Sequence, residues 1–167
     1  LYIALAKAGV ANNTLIIFTN DNGGEWLSRN SPLFHRKNTL WEGGIRVPAL
    51  LRWPAQLPAN VTSKQVAITM DLTASILAAA GARPPDSYSA DGMNLLPLLA
   101  GRKTVERTLF WRIKNPIRDQ KAVRRGRWKY LVEGPLTLRA NAEFMFDLEK
   151  DPGERDNLVF ERADLLP

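Results

Sequence analysis

Asp21, Asn22, His35 and Lys37 are the residues of this chain whose types and spacing could do chemistry. Asp21 and Asn22 set a carboxylate beside an amide carbonyl, and Gly23-Gly24 follow. Neighbours in a regular strand point to opposite faces, but at a glycine bend both oxygens can face one point. Such hard oxygen donors suit calcium or magnesium rather than zinc. Asp-Asn-Gly-Gly also forms an Asx turn with no ligand at all. The polar excursion that follows carries the only histidine, His35, and Lys37. A lysine brought back to the sheet edge can neutralise the anionic oxygens of an ester and the charge that develops on them. His35 can donate a proton or hydrogen-bond to the same anion. Both residues equally suit a solvated loop. Glu42 and Arg46, beyond Trp41, read as structural ion-pair partners rather than catalysts.

The elements that must position these residues are legible around them. Leu15-Ile16-Ile17-Phe18 is a continuous apolar run, the pattern of a parallel strand buried on both faces, and it delivers the chain to Asp21. Pro48 to Trp53 is a second such run, where the excursion returns. Leu1 to Ala8 reads as a helix stopped by Gly9. Asp71 is placed to cap a helix over Leu72 to Ala80 that stops at Gly81, and Pro84-Pro85 end that stretch. Asp91-Gly92 is a turn, and Leu95 to Ala100 a short helix with Pro97 near its start. From Thr108 the texture changes to short strands: Thr108 to Trp111, a hairpin from Ala122 to Val132 turning at Arg125-Gly126-Arg127, and Phe144 to Leu148. A loop and a terminal helix follow over Glu154 to Leu166. The expected fold class is α/β over residues 1–103, followed by a small antiparallel sheet with a C-terminal helix over 104–167.

Composition narrows the partners. The 167 residues are 45% hydrophobic and 24% charged, as in a globular chain. No apolar run is long enough to span a bilayer as a helix, and no leader of basic and apolar segments opens the chain. Without cysteine there are no disulfides or thiolate metal sites, which fixes no compartment. A net charge of +6 favours anionic partners. The basic run Arg112, Lys114, Arg118, Lys121, Arg124, Arg125, Arg127 and Lys129, with Trp111, Trp128 and Tyr130, has the ingredients of a nucleic-acid surface. No nucleic-acid module surrounds it, and such residues also protect a sheet edge.

Taken together the motifs resemble the sulfatase family, within the alkaline-phosphatase-like superfamily. Thr14 to Gly23 looks like the family's strand ending in an Asp-Asn metal pair. Lys37-Asn38-Thr39-Leu40-Trp41-Glu42-Gly43-Gly44-Ile45-Arg46-Val47-Pro48 is similar to its lysine motif, usually Lys-Gly-Thr-x-Trp/Tyr-Glu-Gly-Gly-x-Arg-x-Pro. Asp91 to Leu99, and Phe146 to Glu154 with Asn157-Leu158, resemble later family segments. The resemblance implies part of an alkaline-phosphatase-like mixed sheet, Asp21 and Asn22 as ligands of a calcium-type ion (Ca2+ or Mg2+), and Lys37 as the catalytic contact to a sulfate group. Phe34-His35-Arg36 stand where the family often has Arg-Gly-Gly, which points to a different pocket; substrate binding by His35 is the reading of its position alone.

The family's nucleophile is a formylglycine made in a Cys/Ser-x-Pro-x-Arg motif. No serine here begins that pattern and there is no cysteine. Two buried strands cannot cover each other or satisfy both edges, so the chain reads as the C-terminal portion of a longer sulfatase, or as one that self-associates. Alone it is expected to be inactive and to bind calcium weakly, since two oxygen donors fall short of the usual six to eight. The expected partner is a sulfate-ester small molecule or sulfated glycan, with neither nucleic acid nor a membrane. The alternatives are a phosphodiesterase or phosphonate monoester hydrolase of the same superfamily, and a non-catalytic module that binds anions or nucleic acid.

Overall fold

The computed structural model describes residues 1–83, 85, 87–134 and 141–165. Pro84 and Leu166, which the sequence reading uses as element ends, lie outside the described residues. In chain order the elements are α1 (Tyr2–Lys7), β1 (Ile16–Thr19), α2 (Glu42–Ile45), β2 (Ala49–Arg52), α3 (Thr69–Ala79), α4 (Leu96–Ala100), β3 (Thr108–Asn115), β4 (Arg118–Arg125), β5 (Trp128–Glu133) and β6 (Ala142–Asp147). The chain divides into two compact units. One comprises Leu1–Thr19 and Ala49–Val105, the other Asn20–Pro48 and Glu106–Pro167.

In the first unit α1 ends at Gly9, whose φ of +73° suits glycine. The apolar runs form strands as expected, but β1 pairs with β2 antiparallel, with Phe18 opposite Leu50. Those two side chains are 57% and 65% exposed, so the expectation of a parallel strand covered on both faces is corrected within this unit. A continuous apolar run specifies that both faces want burial; it specifies neither the neighbour's direction nor what supplies the cover. Asp71 is likewise displaced from its expected place. It sits in the first turn of α3 rather than before it, and its Oδ2 accepts the Ile68 N–H at 2.8 Å. Its Oδ1 accepts the Met93 N–H at 2.9 Å, while Ser75 Oγ accepts the Leu95 N–H at 2.9 Å. Two buried polar side chains of α3 thus anchor the segment that leads into α4.

In the second unit β3–β4–β5–β6 form an antiparallel meander in sequence order. The β4–β5 hairpin turns at Gly126, with φ +56°. The expected C-terminal helix is, among the described residues, a single 3₁₀ turn over Ala163–Leu165. The core of this unit joins Ala122, Leu131, Phe146 and Leu148 from the sheet side to Leu40 and Trp41 from the loop that precedes α2. The expected mixture of α/β elements and a small antiparallel sheet is therefore present, and the four-stranded sheet packs against the segment that carries Lys37.

Candidate functional site

The site is assembled from backbone contacts inside the second unit. Gly23 N–H donates to Gly44 O at 2.8 Å, and Lys37 N–H donates to Gly24 O at 2.9 Å. These two bonds hold the Asp21-Asn22-Gly23-Gly24 end against both ends of the Lys37–Gly44 run. Asn30 fastens the same point: its Oδ1 accepts the Gly24 N–H at 3.1 Å, and its Nδ2 donates to Gly24 O at 3.3 Å and His35 O at 3.0 Å. The glycines are required by proximity. A Cβ on Gly23 would collide with the Gly43 carbonyl, one on Gly43 with the carbonyls of Phe34 and His35, and one on Gly44 with that of Thr39.

On this frame Asp21 is exposed and Asn22 half-buried. Lys37 Nζ lies 3.9 Å from Glu25 Oε2, and Arg36 lies 4.0 Å from Glu25 Oε1, so two cations face one carboxylate. His35 adopts a left-handed backbone, φ +63°. Its ring stacks on Trp41 at 5.8 Å and meets Phe34 edge-on at 4.8 Å. Partial burial, then the charge of Arg118 and of Arg36, hold the imidazole below its usual range, against the opposing pull of Glu133.

The sequence reading missed what holds the lysine run in place. Thr39, Leu40, Trp41, Glu42, Gly43 and Gly44 are all buried. Leu40 N–H donates to Gln120 Oε1 at 2.8 Å and Trp41 Nε1–H to Glu133 Oε1 at 3.1 Å; Gln120 Nε2 donates to the same Glu133 oxygen. Beneath them Lys129, with no exposed surface, lies 2.9 Å from Glu42 Oε1 and 2.7 Å from Glu154 Oε1. The Glu42 N–H donates to Glu154 Oε2 at 2.6 Å, and Arg124 and Arg46 approach Glu42 Oε2 at 3.8 and 3.7 Å. Burial pushes the Glu154 carboxyl up, against the pull of Lys129. Glu42 is thus the structural ion-pair partner expected, though its main partner is Lys129. The basic run is corrected accordingly. Lys129 and Arg124 face inward to Glu42, Arg127 pairs with Asp147, and Arg125 with Glu106 at 2.9 Å, so the run is not a continuous cationic face. Period-two alternation puts Lys129 on the same face as Leu131, and that was the available signal.

The sulfatase family model matches residues 1–82. Bovine arylsulfatase A is 33% identical over 192 aligned positions, covering 100% of this chain and 38% of that protein. The chain belongs to the sulfatase family. Porcine N-acetylgalactosamine-6-sulfatase is 31% identical over 186 positions, covering 94% of this chain and 36% of its own length. The crystal structure of Ps i-CgsB in complex with k-i-k-neocarrahexaose superposes with a TM-score of 0.87 at 29% identity, over 99% of this chain and 37% of that one. This sulfatase chain therefore spans a little over a third of the length of these relatives.

Sulfatases in general use a metal ion and a formylglycine. Asp21 and Asn22 fit a hard cation by donor type, and the bonds at Gly23 and Gly24 fix the backbone that carries them. Among the described residues no three acidic or histidine side chains gather to hold a metal ion.

Proposed function

We propose that this chain forms part of a sulfuric-ester hydrolase and supplies the charge-stabilising side of its active site. The observation that carries the reading is the pair of backbone bonds, Gly23 to Gly44 and Lys37 to Gly24, which sets the Asp21-Asn22 end beside the lysine run. Lys37 contacts a sulfuryl oxygen and offsets the negative charge that grows there as the ester bond breaks. Asp21 and Asn22 would hold a calcium (or magnesium) ion, which would help offset negative charge on the sulfuryl group. His35, whose lowered pKa favours the neutral imidazole, hydrogen-bonds to the substrate. The formylglycine nucleophile is supplied from outside these residues, since neither a cysteine nor a Ser-x-Pro-x-Arg motif is present. Relatives named for an N-acetylgalactosamine sulfate and for aryl sulfates support a sulfate-ester small molecule or sulfated glycan as substrate.

The test is an ester panel on the full-length protein. An aryl sulfate should turn over faster than an aryl phosphodiester or a phosphonate monoester at equal concentration, and this chain alone should turn over none of them. Preference for either phosphorus ester, or sulfate release by the isolated chain, would overturn the reading.

A further inference from the structure

Three consecutive residues after β6 touch three separate points of the segment that carries His35 and Lys37, all within the second unit. A Cβ on Gly153 would lie 3.0 Å from the Pro32 carbonyl oxygen, so that backbone rests directly on the excursion. Glu154 accepts the Glu42 N–H on Oε2 at 2.6 Å, and its Oε1 lies 2.7 Å from the Lys129 ammonium. The Arg155 guanidinium sits 4.7 Å over the Phe34 ring, against which His35 packs. The turn that presents these residues is fixed to β6 at both ends. Asp151 N–H donates to Asp147 O at 2.7 Å. Asn157 Oδ1 accepts the Met145 N–H at 3.0 Å, and its Nδ2 donates to Glu143 O at 3.1 Å. Between these anchors, Asp151 Oδ2 accepts the N–H groups of Arg155 and Asp156 at 2.6 and 2.9 Å.

Glu154 holds a left-handed backbone, φ +54°, and is 4% exposed. A buried residue with a side chain keeps such a backbone only where its surroundings over-determine it. Glycine would relieve that backbone but would lose the carboxylate, so the position is set by the reach to Glu42 and Lys129. We infer that the Gly153-Glu154-Arg155 turn is a clasp that positions Lys37, with Glu154 as its positioning residue. From Glu42 the restraint passes along buried residues 39–44 to Lys37, whose own N–H is tied to Gly24. Glu154 touches no substrate. It acts by keeping the lysine where charge grows on the sulfuryl group, and a displacement of about 1 Å there can cost roughly a hundredfold in rate. Its effect on turnover rests on the hydrolase reading above, but the placement of the run does not.

The experiment uses the full-length protein and Glu154→Gln, which keeps the volume and a carbonyl oxygen but removes the charge beside Lys129. For p-nitrophenyl sulfate, kcat should fall about tenfold or more while KM moves less than about threefold. In a Lys37→Ala background the same substitution should change kcat less than about twofold, because the group it positions is gone. An equal factor in both backgrounds would overturn the positioning role, since a general loss of structure does not depend on Lys37. Hydrogen exchange supplies a readout that needs no turnover. The Gly23 and Lys37 N–H groups should exchange about tenfold faster in Glu154→Gln, with the β3 amides at the parent's rate. Parent rates at Gly23 and Lys37, or equal acceleration through β3, would overturn the clasp. If the Gln variant melts below the assay temperature, Glu154→Asp, one methylene shorter with the charge kept, takes its place with the same pattern expected. Faster exchange at Gly23 and Lys37 in a protein whose parent turns over no sulfate ester would sink the hydrolase reading and leave the clasp standing.

Discussion

At Gly23 a single hydrogen atom decides whether the strand end can lie on the lysine run. Its φ is not in the left-handed region, so glycine is needed there for close approach and not for an unusual backbone turn. Asp-Asn-Gly-Gly was visible in the sequence as a bend, but a bend explains glycine by local conformation, and the real constraint is the Gly43 carbonyl, twenty residues away in the chain. That neighbour cannot yield, because Gly43 is itself backed by the carbonyls of Phe34 and His35. Gly23→Ala should therefore force the two segments apart and destabilise the unit by about 1–3 kcal/mol, the usual cost of overpacking. Urea denaturation monitored by tryptophan fluorescence measures this; a midpoint equal to the parent's would mean the approach has slack. Asp21, Asn22, His35 and Lys37 were all singled out by residue type and spacing, whereas Asn30, whose amide ties Gly24 to His35, carries no mark in the sequence that separates it from any loop asparagine.

Strands and turns of the second unit were legible because each is written locally. The turn at Arg125-Gly126-Arg127 between two strand-like runs gave the β4–β5 hairpin, and the run Phe144 to Leu148 gave β6. The docking of the α2 segment on that sheet was not legible. It rests on Trp41 reaching Glu133, Leu40 reaching Gln120, and Lys129 reaching Glu42; alternation marks Lys129 as inward-facing, but nothing in the sequence names the partner of any of the three. Lys129 is central to this docking, since one buried ammonium from β5 is the shared counter-charge of the Glu42 carboxylate in α2 and of the Glu154 carboxylate. Removing it leaves two acids without their shared counter-charge, and Arg124 at 3.8 Å from Glu42 is a weaker substitute. Lys129→Met keeps much of the side-chain volume and should still cost about 3–5 kcal/mol, the range for breaking a buried pair. Chemical denaturation of parent and variant at pH 7 reads the difference. A loss below about 1 kcal/mol would show that the acids are satisfied some other way.

For the whole molecule, the open question posed by the sequence was what covers β1 and β2. A run such as Leu15-Ile16-Ile17-Phe18 is chosen for burial on both faces, yet Phe18 and Leu50 stand opposite each other and largely bare in a sheet of two strands. The chain spans a little over a third of its relatives' length, and a second copy of the chain is one source of cover available to these residues in isolation. Exposed apolar strand surface associates because each contact removes apolar area from water at roughly 25 cal/mol per Å². The edges of a two-stranded sheet also leave backbone donors and acceptors unpaired. The isolated 167-residue chain should accordingly sediment well above its monomer mass of 18.7 kDa at micromolar concentration. Replacing the facing pair with opposite charges, Phe18→Glu with Leu50→Lys, keeps a favourable cross-strand contact while making the face costly to bury. Sedimentation velocity should then shift toward monomer, with the circular dichroism spectrum retained. If the parent chain already runs as a monomer, or if the charged pair leaves its association untouched, the exposed face of β1 and β2 is not what drives the copies together.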